Sequence, residues 1–268
     1  GGKEKEMRDF KWGFSTLGCP ECSLGEAVAL ADEYDFRMLE LRSVDGSIDL
    51  SKVFEEPEKR ALLKRLAGEG RIRVFGSSFG ISSRRNNYEE LAALGRLADE
   101  AGVPYLRVFG GFDFAEELDS EKLTVALENL AWFRGQNLKA KLALETHDGY
   151  SSAARCRRLL DRVDGELPVI WDAHHTCRFA GETFRDSWEL LAGHVVDIHV
   201  KDSRLDSDGK LVATVPGEGD LAVPELLELL EEVDYTALVT LEYEKLWHPY
   251  LPEIRVALAA VNRFWRNC

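Results

Sequence analysis

The chain has 268 residues, 45% of them hydrophobic and 31% charged, which is the size and make-up of one large globular domain able to bury a sizeable core. Its 48 acids against 34 bases give a formal charge of −14, which excludes a duplex-binding surface built on phosphate neutralisation, and it contains no run of about 18 apolar residues to span a bilayer. Five cysteines, an odd number in a chain this long, do not make a secreted disulfide framework.

The N-terminal GGKEKEMRDF carries no signal-peptide core, so a cytoplasmic location is expected. Residues 1–7 read as an extension ahead of a single domain over 8–268. From there β-type and helix-type patterns alternate. A strand at 10–15 is followed by a helix at 24–34, and between them lies Cys19-Pro20-Glu21-Cys22. No second CxxC exists, and Cys156, Cys177 and Cys268 stand alone, so reduced thiols in a loop are expected here in preference to a redox or zinc site. Further strands are expected at 37–42, 71–76, 105–109, 141–146, 167–172, 195–200 and 237–243. The intervening helices are expected at 51–68, 88–102, 120–137, 151–163, 183–193, 222–233 and 251–266, each with apolar residues three and four apart. Gly102, Gly165 and Gly193 fall where helices should end. Eight βα units without a polar linker predict one closed (β/α)8 TIM barrel.

Four of the strands run into an acid or a histidine: LALETH with Glu145, VIWDAHH with Asp172, VDIHVKD with His199 and LVTLEYE with Glu242. Strand side chains alternate between faces. Ala143, Glu145 and His147 therefore share one face, as do Asp197, His199 and Lys201, with Val196, Ile198 and Val200 opposite. In the last strand Leu238, Thr240, Glu242 and Glu244 oppose Val239, Leu241 and Tyr243. A parallel strand covered by helices should be apolar on both faces. An ionised carboxylate inside a fold costs several kcal/mol unless paired or coordinated, so these four strand ends predict a divalent-metal site. Of six histidines, His147, His174, His175, His199 and His248 fall at or just after a strand end, the rim where such barrels carry their active sites. Only His194 precedes a strand.

In order and over nearly the whole chain, from GFSTLG to LEYEKLW, these motifs resemble the xylose-isomerase-like barrels: sugar-phosphate isomerases and epimerases, ketose 3-epimerases, hydroxypyruvate isomerase and inosose dehydratase. The resemblance implies one divalent ion, Mn, Mg, Co or Zn, held by Glu145, Asp172 of the D-x-x-H motif, His199 and Glu242. It implies proton transfer by Glu145 and Glu242 through an enediolate, with Asp172 and His199 only holding the ion. Substrate contacts are expected from His175, His147, Lys201, Arg107, Glu40 and Arg204, with Glu40, Arg42 and Arg107 alternatively forming an internal salt-bridge layer. Phe14, Phe79, Trp171 and Trp247 are candidates for an apolar wall against a sugar face. Pro216-Gly217-Glu218-Gly219-Asp220 resembles the family's glycine-rich loop, with amides suited to an anion, although its two acids favour a plain turn.

The expected partner is a small sugar or sugar phosphate, with no nucleic acid and no membrane; a homo-oligomer is compatible with the sequence. The endonuclease IV type of relative needs histidines after strands two and three and in the loop after strand seven. Those places read LELRS, GSSFG and DSRLDSDGKL. A metal-dependent dehydratase of a cyclitol or a dehydroshikimate-like substrate begins with the same proton abstraction. A non-catalytic sugar-binding barrel has no need of two opposed proton carriers.

Overall fold

The computed structural model describes residues 10–267; the expected N-terminal extension, the first residues of the expected domain and Cys268 lie outside the described residues. All eight expected strands form. In chain order they are β1 (Lys11–Ser15), β2 (Met38–Leu41), β3 (Ile72–Gly80), β4 (Tyr105–Phe109), β5 (Lys141–Glu145), β6 (Val169–Asp172), β7 (Val195–Val200) and, after a hairpin, β10 (Leu238–Leu241). They close into a parallel barrel in which β10 lies between β7 and β1. The hairpin, β8 (Asp202–Leu205) and β9 (Leu211–Thr214), was not expected. Its turn is closed by Asp206, whose carboxylate accepts the Asp208 and Lys210 N–H groups, and by Gly209 at φ +75°.

Helices cover the barrel, and several begin at side-chain caps. Ser23 makes a reciprocal capping box with Glu26, and Asn87, Asp119, Ser152 and Thr183 each accept an N–H from the first turn of the helix they cap. The helix expected at 51–68 is split into Leu50–Val53 and Pro57–Gly68, because Pro57 lacks an N–H and starts a helix where it would interrupt one. Gly102 ends its helix in the left-handed region at φ +89°, as its position suggested. An additional short helix, Ala173–Arg178, follows β6 directly.

Two apolar regions sandwich the strands. Outward side chains such as Phe14, Leu41, Phe75, Leu106, Leu144, Trp171, Ile198 and Leu241 join the main core beneath the helices. Inside the barrel, Val74, Ala143 and Ile170 form a small separate cluster with Tyr105 and Val196 against it. Val196 thus corrects the simple alternation, which put it with Ile198. The pairing register shifts between Val169 and Ile170, so Val195 and Asp197 face consecutive residues of β6 and Val196 is the extra residue, as at a β-bulge. Above this cluster the interior is polar: Glu40, Arg107, Glu145, Asp172, Asp197, His199, Lys201, Thr240 and Glu242 are all buried. Among the described residues no helix is long and apolar enough to cross a membrane. Cys19, Cys22, Cys156 and Cys177 are free thiols.

Candidate metal centre

Strand register assembles the centre. Asp172 and His199 are direct neighbours across β6 and β7, and His199 is level with Thr240 on β10. Glu145 ends β5, and Glu242 follows β10 with its N–H still bonded to Val200 O at 3.0 Å. Glu145, Asp172, His199 and Glu242 each present one ligand atom, all within 4.8 Å of one another, and all four residues are buried. From His199 Nδ1, Glu145 Oε1 lies at 2.9 Å, Glu242 Oε2 at 3.1 Å and Asp172 Oδ2 at 3.9 Å. Bonds of about 2.0–2.2 Å to a small divalent cation put adjacent ligand atoms about 3 Å apart, so this donor set fits one such ion.

Further contacts orient the ligands. Asp172 caps Ala173–Arg178: Oδ1 accepts the His175 N–H at 2.9 Å, which leaves Oδ2 to the cluster. His199 Nε2 lies 2.6 Å from Glu40 Oε2 and 3.6 Å from Asp197 Oδ2, so that nitrogen carries a proton and Nδ1 turns to the three acids. Asp197 in turn accepts from Thr240 Oγ1 at 2.9 Å.

The charges reinforce this geometry. Burial opposes protonation of His199, but Glu40, Glu242 and Glu145 outweigh it and hold its pKa well above the ordinary value. The cluster therefore draws positive charge onto the nitrogen that would meet a cation. Burial pushes Asp172 up to about 7 against the pull of Lys201. Glu242 is held well below the usual carboxylate range because Lys201 and His199 overcome its burial. For Glu145, burial and Glu242 work upward, while Arg107 and His199 bring the net shift down.

The remaining expected site residues divide. Lys201 Nζ lies 2.8 Å from Asp172 Oδ2, 2.5 Å from Glu242 Oε1 and 3.0 Å from Glu244 Oε1, so its ammonium serves the acids first. Glu40 is taken up by His199 beneath the centre, and among the described residues it makes no ion pair with an arginine. Arg107 Nε lies 3.7 Å from Glu145 Oε2. His175 donates Nδ1–H to Thr146 O at 2.8 Å, and its ring stands 5.1 Å from that of His147. Burial and Lys201 keep His175 neutral. His174 Nε2 pairs with Ser203 Oγ at 2.8 Å. Two other possible donor groups, Asp172 with His174 and His175 and Glu40 with Asp197 and His199, each offer three residues where the first offers four. Arg204 stands exposed on β8, opposite Val212.

Several other sequence expectations resolve differently. Phe14, Phe79 and Trp171 are core residues, and Trp247 is exposed. The amides of the 216–220 loop are not open to an anion: Asp202 Oδ2 accepts from Gly217 N at 2.9 Å and Gly219 N at 3.0 Å, and Oδ1 accepts from Leu221 N at 3.3 Å. The roles of Glu40, Asp197 and Asp202 escaped sequence reasoning. Asp197 shares the parity of His199, which was the available signal.

A model of the xylose isomerase-like TIM barrel family matches residues 28–267, most of the barrel just described. The chain belongs to this family. No curated protein matches it by sequence. Similar solved structures of the xylose isomerase-like fold include the IolI protein with a bound zinc atom, at 15% identity and TM-score 0.73 over 96% of this chain and 100% of that one. Another is the probable 3-DHS dehydratase AsbF of Bacillus anthracis, at 17% identity and TM-score 0.73 over 94% of this chain and 99% of that one. A third is a D-psicose 3-epimerase studied in the presence of D-fructose, at 14% identity and TM-score 0.68 over 95% and 98%. At such identities the likeness shows the shared fold, and activity has to be argued from the site.

Proposed function

We propose that this xylose isomerase-like barrel is a divalent-metal-dependent isomerase or epimerase of a sugar or sugar phosphate, working by proton transfer through an enediolate. The observation that carries this reading is the pairing of each glutamate with its own cation at a shared centre. Glu242 lies against Lys201 and Glu145 beside Arg107, and both carboxylates approach His199 Nδ1. When bound, one Mn, Mg, Co or Zn ion held by Glu145, Asp172, His199 and Glu242 supplies stabilisation for the charge that develops as the substrate loses a proton.

The chain's own side chains carry the proton. Glu145 and Glu242 remove it from the carbon next to the carbonyl and return it on the same or the neighbouring carbon. Lys201 and Arg107 keep both carboxylates ionised and ready to accept it. His175, fixed through Nδ1, keeps Nε2 for a substrate hydroxyl, and His147 and Arg107 stand nearby as further contacts. His147, which despite its burial is raised above the ordinary imidazole range by Asp148, also favours a second reading, dehydration of a cyclitol or dehydroshikimate-like substrate, because expelling hydroxide needs a proton donor beside the same enediolate. The free thiols fit a reducing cytoplasm.

The test is a panel of ketoses, their phosphates and cyclitols incubated in deuterium oxide with Mn or Mg. Deuterium should enter the carbon beside the carbonyl, and Glu145→Gln and Glu242→Gln should each abolish its entry. Binding without exchange across the panel would leave only a sugar-binding barrel. Elemental analysis should return about one ion per chain; three zinc ions would point to phosphodiester chemistry instead.

A further inference from the structure

Two buried arginines sit on the β2–β3–β4 wall of the site without a full set of partners. Leu41 pairs with Phe75 and Gly76 with Arg107, so Arg42, Gly76 and Arg107 stand at one level on three adjacent strands. A Cβ on Gly76 would lie 2.5 Å from Arg42 Cδ and 3.6 Å from Arg107 Nη2, so both side chains run over the bare glycine. They are 8% and 7% exposed. The Arg42 guanidinium makes one hydrogen bond, from Nη2 to Ser78 Oγ at 3.0 Å, and among the described residues no carboxylate lies within ion-pair distance of it. Arg107 has only Glu145 at 3.7 Å, beyond hydrogen-bond length, and its buried Nε has no hydrogen-bond partner among the described residues.

Other parts of the molecule do not satisfy these groups. Glu40, the acid expected to join them, is held by His199. Glu145 is shared with His199 Nδ1 at 2.9 Å. Two adjacent like charges are costly in a protein interior unless an opposite charge joins them. Burial, and then the repulsion of Arg107, lower Arg42 to about 10, which still leaves it a cation at neutral pH. A cavity of about 100 Å³ beside Arg42 is less suited to an anion, because Asp49 and Glu90 share its wall and already match the charges of Arg42 and Arg85 there. The inner side is better suited. There the Arg107 guanidinium lies 5.3 Å from the centre of the Phe109 ring, which stands 5.2 Å from the ring of His147. The buried His147 Nδ1 likewise has no hydrogen-bond partner, with Asp148 Oδ1 at 3.7 Å, beyond hydrogen-bond length.

We propose that Arg42 and Arg107 form an anion subsite, so that the substrate carries a carboxylate or phosphate which the two guanidinium forks receive on the β2–β4 side of the centre. Planar forks with free N–H groups match such oxyanions in pairs of parallel hydrogen bonds. The proposal rests on the metal-dependent reading of the site and narrows its substrate from sugars in general to anionic polyols. An uncharged ketose leaves the two arginines uncompensated.

The test uses the Mn-loaded protein with inorganic phosphate and benzoate as separate probes, titrated by calorimetry, and Mn affinity followed in parallel by electron paramagnetic resonance. At least one probe should bind, and Arg42→Met and Arg107→Met should each weaken it by about tenfold or more, while Mn affinity stays within about twofold in Arg42→Met, the arginine that makes no ion pair with a residue of the centre. The stronger probe distinguishes phosphate from carboxylate. Should a methionine variant fail to fold, Arg42→Lys and Arg107→Lys keep the charge but lose the fork and should lie between. Phenylglyoxal labelling of the wild-type protein supplies a reading that needs no variant: the binding probe should protect Arg42 and Arg107 from modification. Wild-type affinity in the variants, or neither probe binding at about 10 mM, overturns the subsite. Loss of Mn binding with anion binding intact would instead overturn the metal reading and leave the subsite standing.

Discussion

The two nitrogens of His199 face regions of opposite character. On the Nδ1 side three carboxylates converge, with Lys201 against Asp172 and Glu242 and Arg107 beside Glu145. On the Nε2 side lie Glu40 and Asp197, whose Oδ1 accepts from the Thr240 hydroxyl, and burial pushes Asp197 up to about 7 despite His199. Both regions are acidic and buried, so residue type alone does not separate them. The acids at the strand ends have cation partners of their own, Lys201 and Arg107, whereas Glu40 and Asp197, which could also meet an ion together with His199, have only the imidazole between them. The comparison teaches that an inward acid earns a chemical role from its level in the barrel and from its neighbours.

Five measurements would break or sharpen this contrast. The largest effect belongs to the Nδ1 side: Glu145→Gln and Glu242→Gln should each slow solvent proton exchange by about 10²–10⁴-fold, and unimpaired exchange in both would remove their assignment as proton carriers. Ile170→Ala, in the apolar cluster below both regions, should cost about 2–5 kcal/mol in denaturant unfolding while Mn affinity is unaltered; a change in affinity would mean that the lower layer shapes the centre. Mn at about 100 times its dissociation constant should stabilise the wild-type protein by about 2.7 kcal/mol, seen as a rise in melting temperature that Asp172→Asn reduces. Glu40→Gln tests the Nε2 side and should weaken Mn binding by about 10–100-fold through loss of imidazole orientation, with circular dichroism unchanged. Arg204→Ala should change stability by less than about 0.5 kcal/mol and leave exchange within about twofold, since it stands exposed on the hairpin; a large loss of exchange would bring β8 into the site.

Glu145, Asp172, His199 and Glu242 were legible because each ends a short apolar strand, where a buried charge demands a partner. Eight such strands alternating with amphipathic helices also made the barrel legible. Val196 was not, because a register shift against β6 moves it to the inner face, and such a shift depends on how two strands pair. The β8–β9 hairpin was missed for a related reason: its strands are short and bracket a polar turn, which reads as loop until Asp206 and Gly209 are seen to close it. Asp202 looked like one more acid after His199, yet its carboxylate gathers the amides of the 217–221 loop.

Periodicity and residue type, which are properties of the chain itself, determined the architecture, the rim of the candidate centre and the four residues that could hold an ion. The tertiary structure decided which acids share a proton with His199, which side chain neutralises Glu242 and why Arg42 and Arg107 are left with unused donors. Those outcomes depend on distances between strands far apart in sequence, set by barrel closure and by register. No local pattern in the chain encodes them.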